Sequence, residues 1–326
     1  MGDPAGCGPQ ITALAWQARE AERLSPFFVI GDPELYRCFG PAEIITAPNQ
    51  AETVFGRALP VLAQTAGVRQ TVNVGTPAGI YASEIVESIQ TATRLTLAGQ
   101  ASAIVTNPIS KAVLYQQGFK FPGHTEFIAD LCKATNSKAD RPVMMLVGGG
   151  LRVALATIHV PLMRVLDHLS ADALRETVRI THHALVQDFA LPSPRIALTG
   201  LNPHAGEDGT IGTEERDLIN PVASELRQDD INVSDARPAD TVFHEALQGQ
   251  FDAVIAMTHD QGLIPVKTLD IWGGVNTTLG LPIVRTSPDH GTAYDAAAAG
   301  TCRPDSLIAA LKLAEHLAVN RGAAND

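Results

Sequence analysis

The chain has 326 residues, of which 45% are hydrophobic and 18% charged, and its formal net charge is -11 at pH 7. This composition is ordinary for a globular protein with a large core, built as one big domain or two intimate ones. The negative charge excludes a general nucleic-acid or anionic-membrane binder, because phosphate-rich surfaces need a basic face, and no apolar run is long enough to predict a membrane span.

Nothing at the start, MGDPAGCGPQ, resembles a secretory signal. The cysteines are far apart and form no C-x-x-C pair, which is typical of reduced thiols in the cytoplasm and not of a zinc or disulfide framework. They are Cys7, Cys38, Cys132 and Cys302.

Residues 2–8 predict a tight loop that leads into a helix over 9–23, with a proline in the first turn. Such loops usually follow a strand, but only Met1 precedes this one, so we expect a first strand to be missing from the sequence. A structural turn and a dinucleotide-binding loop are both open interpretations. The second is weakened because that fingerprint needs the strand and a third glycine.

Strands and helices then alternate, which predicts an α/β protein with a largely parallel sheet. Strands over 102–106, 195–199 and 251–257 each run into a polar turn, and in such sheets ligands collect at the carboxyl ends of strands. Long amphipathic helices are predicted over 81–97 and 304–319. The runs 143–147 and 151–157 flank three glycines and predict a hairpin, so we expect the sheet to be mixed.

Three histidines lie just past apolar strands: His159, His204 and His259. Neutral imidazole is a common ligand of zinc and similar divalent ions, and three protein ligands with an open position suit a catalytic metal. Their spacing forms no local motif, so each histidine taken alone is better explained as a turn residue or a hydrogen-bonded core histidine than as a metal ligand. Together they predict a metal site.

A second group suits an anion. His124 and Thr125 stand where a helix N-terminus can hold phosphate, while Lys267 and Arg285 add cations and Asn276 adds an amide. Solvated charges are the alternative for the two cations, but both are flanked by apolar residues, where an unpaired charge is costly.

Several long blocks resemble the 4-hydroxythreonine-4-phosphate dehydrogenase family of vitamin B6 biosynthesis, and the resemblance covers nearly the whole chain. The departure is at the amino end, where family members have a strand before GDPAG. The blocks are GDPAG near the start, HTEF at His124, TIHVPL around His159, LNPHAGE around His204, PADT at 238–241, HDQGLIPVK from His259 and VNTTLGLPIVRTSPDHGTA from Val275.

The resemblance implies a fold similar to the isocitrate and isopropylmalate dehydrogenases: two α/β/α subdomains that share a mixed, largely parallel sheet, with the active site in the cleft. We expect one subdomain from residues 1–124 plus 286–326 on the cofactor side. The other, residues 125–285, would carry dimerisation and the metal.

The resemblance also implies the site. His159, His204 and His259 match divalent-metal ligands (zinc, cobalt or magnesium), the third, His259, coming from the partner subunit of a homodimer, so a monomer is expected to be inactive. The substrate positions are His124, Thr125, Lys267, Asn276 and Arg285. NAD, or NADP, is expected at His290, Gly291, Thr292 and Ala293 with Asp295.

The implied reaction is the oxidation of 4-phosphohydroxy-L-threonine to 2-amino-3-oxo-4-phosphooxybutanoate, which loses carbon dioxide to give 3-amino-2-oxopropyl phosphate. Lys267 and Asp240 are alternative proton acceptors. Two other functions stay open: oxidation of a related substrate, such as a threonate or erythronate phosphate or a cyclic dihydrodiol, and a metal-dependent phosphatase or aldolase without NAD.

Overall fold

The computed structural model describes residues 1–64, 72–134 and 141–325. The chain divides into two compact units: unit 1 is Met1–Ala139 with Leu281–Glu315, and unit 2 is Asp140–Gly280 with His316–Asp326. The boundaries predicted at 124/125 and 285/286 differ from these. The observed division keeps Thr125 and Arg285 in the same unit as His124.

Unit 1 contains a parallel three-stranded sheet in the order β1-β3-β2 and a parallel pair of β4 with β11. Its strands are β1 (Val29–Gly31), β2 (Ala42–Ile45), β3 (Leu59–Ala63), β4 (Ala103–Val105) and β11 (Val284–Pro288). Its helices are α1 (Gly8–Gln17), α2 (Arg19–Glu22), α3 (Glu34–Arg37), α4 (Ala51–Phe55), α5 (Ala82–Leu97), α6 (Lys111–Tyr115), α7 (His124–Ala134), α12 (Tyr294–Ala299) and the first part of α13 (Asp305–Asn325).

Helix α5 confirms the amphipathic pattern read from the sequence. Ile85 and Ile89 recur at helical spacing and are buried in a cluster with Ile128 of α7 and Ile283. The predicted helix over 9–23 is wrong at its middle: α1 ends at Gln17, and the guanidinium of Arg19 donates to the carbonyl oxygen of Trp16. That bond satisfies a terminal carbonyl group of α1.

Unit 2 is built on six strands in the order β10-β5-β6-β9-β7-β8. β5 is antiparallel to β10 and β6, whereas β6, β9, β7 and β8 are parallel, so the predicted mixed sheet is confirmed. The strands are β5 (Val143–Gly148), β6 (Leu151–Leu155), β7 (Ile196–Thr199), β8 (Val233–Arg237), β9 (Ala253–Ala256) and β10 (Val275–Leu279). The helices are α8 (Ala171–Gln187), α9 (Asn220–Gln228), α10 (Val242–Leu247), α11 (His259–Leu269) and the last part of α13.

The predicted hairpin joins β5 to β6, with Gly148 opposite Leu151. Gly149 and Gly150 both have positive φ, 58° and 84°, the turn conformation that matches the twist of two antiparallel strands. A Cβ on Gly149 would lie 2.5 Å from Cβ of Leu269, so this position requires glycine for space as well as for conformation.

Among the helices described, none combines the length and the apolar character that crossing a membrane requires. In the part of the chain that the structure describes, the four cysteines form no disulfide.

Gly149→Ala should lower the free energy of unfolding more than Gly249→Ala. Gly249 also has positive φ, 75°, but no atom lies within 4 Å of its ideal Cβ. The control should therefore cost about 1 kcal/mol for the left-handed conformation, and Gly149→Ala about 1–3 kcal/mol more for overpacking. Equal losses in urea unfolding would show that Leu269 does not restrict the turn.

Candidate active site

Arg285 is the centre of a candidate anion-binding group in unit 1. It lies in β11 opposite Ile104 of β4 and is only 4% exposed. Its Nη2 donates to Oγ1 of Thr106, just beyond β4, at 2.7 Å. Burial lowers the pKa of Arg285 to about 10, so the side chain stays protonated at neutral pH. A buried cation of this kind suits a planar anionic group.

His124 begins α7, where backbone N–H groups of the first turn have no intrahelical partner. Desolvation, and then the positive charges of Arg285 and its neighbours, hold the pKa of the imidazole well below its ordinary value. His124 is therefore neutral at pH 7. A neutral imidazole can donate to a phosphate oxygen without adding to the local positive charge, and Thr125 follows it in the same helical turn.

Lys111 also belongs to this group, although the sequence did not predict it. Its Cε and Nζ lie 3.3 and 3.6 Å from where a Cβ on Gly123 would stand, so the ammonium group lies at the start of α7. Ser110 caps α6 by accepting from the backbone N–H of Val113, which fixes the first turn that carries Lys111. No local pattern in the sequence connects Lys111 with His124, because their closeness depends on the fold.

The predicted cofactor loop packs against the loop formed by residues 2–8. The backbone N–H of Cys7 donates to the carbonyl oxygen of Thr292 at 2.8 Å, and the hydroxyl of Tyr294 donates to Asp3 at 2.5 Å. A Cβ on Gly6 would lie 2.8 Å from the Thr292 oxygen, so only glycine allows this approach. His290, Gly291 and Asp295 are exposed, and Ala293 adopts a left-handed conformation before α12.

A cavity of about 290 Å³ opens beside these loops in unit 1. Its volume is at the lower end for ligand pockets. It is lined by the loop of residues 2–8, by α1 and by α12. The carboxylates of Asp32 and Glu34, which follow β1, also line it. The lining includes Pro4, Gly6, Gln10, Asp32, Glu34 and Ala297.

In unit 2, the rings of His159 and His259 lie within one chain with their centres 5.6 Å apart, whereas the resemblance implied that His259 would come from the partner subunit. His159 follows β6 and His259 begins α11 directly after β9. Because β6 and β9 are parallel neighbours, their carboxyl ends lie at the same edge of the sheet. Nδ1 of His259 is 2.8 Å from Oδ1 of Asp260, a contact that orients the ring and leaves Nε2 for another partner.

His204 follows β7 and is exposed. It begins a left-handed turn, residues 204–208, in which every φ lies between 44° and 79°. Such a conformation costs roughly 1–2 kcal/mol for each L-residue that is not glycine. Across the described part of the chain, no three His, Cys, Asp or Glu side chains are arranged to hold a metal ion. Within one chain the rings of His159 and His259 therefore lie near each other, but they form no three-ligand metal site with His204.

The remaining predicted residues are also in unit 2. Lys267 lies on α11 two turns beyond His259, Asn276 lies in β10, and Asp240 is exposed after β8. The side-chain oxygen of Asn276 is buried and has no hydrogen-bond partner among the described residues. A buried acceptor of this kind suits a donor group of a ligand.

The fold is that of an α/β protein, with a candidate anion-binding group on one unit and a pair of neighbouring histidines on the other. A family model described as "Pyridoxal phosphate biosynthetic protein PdxA" matches residues 24–314. The 4-hydroxythreonine-4-phosphate dehydrogenase of Methylorubrum populi is 49% identical over 98% of this chain and 93% of its own. The chain belongs to this family.

Solved structures agree with that assignment. A 4-hydroxythreonine-4-phosphate dehydrogenase from Klebsiella pneumoniae superimposes with a TM-score of 0.86 at 34% identity, covering 98% of both chains. A terephthalate 1,2-cis-dihydrodiol dehydrogenase from Burkholderia xenovorans is more distant, with a TM-score of 0.64 and 25% identity over 99% of this chain and 96% of its own.

His124 should make stability depend on pH. Since its folded-state pKa is depressed, the unfolded chain takes up a proton below about pH 6.5 while the folded chain does not, and the folded state loses stability as pH falls. His124→Gln should reduce this loss by up to about 1.4 kcal/mol per pH unit below 6.5. Parallel curves for both proteins in chemical unfolding between pH 5 and 7 would show that His124 is protonated in the fold.

Proposed function

We propose that this protein oxidises the secondary alcohol of 4-phosphohydroxy-L-threonine with NAD or NADP in the cytoplasm, with a divalent metal ion bound by histidines. The observation that carries the proposal is the buried Arg285 beside the neutral His124 at the start of α7, in a chain 49% identical to a 4-hydroxythreonine-4-phosphate dehydrogenase. This arrangement is suited to a phosphate group attached to the substrate.

Phosphate binding is assigned to Arg285, His124 and Thr125, with Lys111 adding charge. Together they offer a guanidinium group, a neutral imidazole, a hydroxyl group and the amides of the α7 terminus, which are typical phosphate donors. We assign Lys267 and Asn276 to other polar groups of the same substrate. The buried oxygen of Asn276 can accept from the substrate's ammonium group.

The two histidines of one chain fit a tetrahedral metal ion. An ion about 2.0–2.1 Å from a nitrogen of each ring would set the ring centres roughly 5 Å apart, close to the observed 5.6 Å. Asp260, which contacts Nδ1 of His259, provides the carboxylate support that such ligands usually have. When bound, the ion would lower the pKa of the substrate hydroxyl group.

A second copy of the chain is proposed to supply the third ligand. The segment after His159 leaves Leu162 78% exposed and Met163 95% exposed, and Ile264, 63% exposed, lies on the helix that begins with His259. Apolar side chains this exposed favour a protein interface. Since His159 and His259 already meet within one chain, His204, and not His259 as first expected, is the better candidate for the partner's contribution.

The cofactor is assigned to the loop from His290 to Ala293 with Asp295, beside the cavity in unit 1. When bound, the nicotinamide would supply the hydride acceptor for the carbinol carbon of the substrate, and Lys267 or Asp240 would accept the hydroxyl proton. The resulting 3-keto acid then loses carbon dioxide.

Reduction of NAD or NADP should therefore require 4-phosphohydroxy-L-threonine and a divalent ion. Absorbance at 340 nm should rise with this substrate and stay flat after metal removal with a chelator. Activity should return when Zn²⁺, Co²⁺ or Mg²⁺ is added. A faster reaction with threonate or erythronate 4-phosphate would show that the protein oxidises that compound instead. Phosphate release without nucleotide reduction would indicate a phosphatase.

Arg285→Gln should raise KM for the phosphorylated substrate about 10- to 100-fold, because a hydrogen bond to a charged group contributes about 1.5–3 kcal/mol. KM for the nucleotide should change little. Arg303→Gln, which removes an exposed arginine paired with Asp305, is the matched control and should behave like the wild type. An unchanged KM in Arg285→Gln would place the phosphate elsewhere.

A further inference from the structure

The left-handed turn that begins at His204 is closed around one buried carboxylate. Glu215 is 3% exposed, and its Oε1 accepts from the backbone N–H groups of Leu201 and Asn202 at 2.8 and 2.7 Å. Its Oε2 accepts from Nδ2 of Asn202 at 2.9 Å. The segment between β7 and His204 is thus held by three hydrogen bonds to a single side chain.

The packing around this carboxylate is close. A Cβ on Gly206 would lie 2.6 Å from Oε2 of Glu215, and one on Gly200 would lie 3.0 Å from Oε1. A Cβ on Gly212 would lie 2.3 Å from Nδ2 of Asn202. The glycines therefore let the chain wrap around Glu215, and a side chain at any of the three positions would force the turn open.

The turn needs such support because its left-handed backbone conformation costs free energy. Residues 204–208 all have positive φ, and Gly206 alone among them is glycine. Backbone held in a sparsely populated conformation persists only where its surroundings fix it, and it concentrates at functional sites. Glu215 also begins a π-helical turn, Glu215–Ile219, a rare element that is frequent at such sites.

We propose that Glu215 is a positioning residue: it holds the left-handed turn so that the imidazole of His204 is presented in the orientation that metal binding requires. It touches neither substrate nor metal and acts only through His204. This inference rests on the proposed function, in which His204 is the ligand that one copy of the chain contributes to the site of the other.

Metal affinity of the folded protein separates this role from a merely structural one. Titration of the metal-free protein with Co²⁺, followed by visible absorbance, gives the affinity, and thermal unfolding of the same samples gives the stability. Glu215→Ala should weaken Co²⁺ binding about 10- to 100-fold, the usual cost of losing a residue that orients a metal ligand. Glu225→Gln is the control, since it removes an exposed carboxylate on the following helix that pairs with Arg175.

Glu215→Gln keeps the oxygen that accepts from both backbone amides but turns an NH₂ group toward Nδ2 of Asn202. It should fold and bind Co²⁺ with an affinity between those of the wild type and Glu215→Ala. If Glu215→Ala does not fold, this variant decides: wild-type affinity in Glu215→Gln overturns the proposal.

His204→Ala shows which part of the account fails. If His204→Ala loses Co²⁺ binding while Glu215→Ala binds within threefold of the wild type and only melts earlier, Glu215 is structural and the positioning role is wrong. If His204→Ala itself binds Co²⁺ like the wild type, His204 is not a ligand, and the metal site of the proposed function fails with it.

Discussion

The parallel pairing of β9 with β6 on one side and β7 on the other is the constraint on which the candidate metal chemistry depends. Parallel neighbours end at the same edge of a sheet, so the residues that follow these strands are brought together however far apart they lie in the chain. Gln261 strengthens the arrangement, since its side chain caps α11 and also donates to the carbonyl oxygen of Gly200 at 3.0 Å. The start of the His259 helix is thereby tied to the segment that leads to His204.

Local patterns in the sequence predicted the alternation of strands and helices, the hairpin that joins β5 to β6, and the position of His159 and His259 just past the ends of strands. Each of these follows from residues close together or from the rule that ligands collect at strand ends. The left-handed turn at His204 could not be predicted, because the segment before it is held by hydrogen bonds that the Glu215 carboxylate accepts, and Glu215 has no local signature. Nor could the contact of Cys7 with Thr292, since the two residues are hundreds of positions apart and only the fold brings them together.

The net charge of -11 would argue against an anionic substrate if charge were spread evenly. Arg285 and Lys111 instead concentrate positive charge at the start of α7, and their field helps to keep His124 neutral. A pocket needs only two or three cations to hold one phosphate, so an acidic protein can bind it without attracting nucleic acid. The buried Arg285 also ties specificity to stability, because the protein must bury a guanidinium group in order to present it to an anion.

We propose that each metal site takes His159 and His259 from one chain and His204 from the other, and mixing inactive subunits tests this arrangement. Each single His→Ala variant should be inactive. When His204→Ala and His259→Ala are dissociated, mixed 1:1 and reassociated, half of the dimers are mixed and each of these carries one intact site, so about one quarter of wild-type activity should return. His159→Ala mixed with His259→Ala should stay inactive. Recovery in that second mixture, or none in the first, would contradict the account.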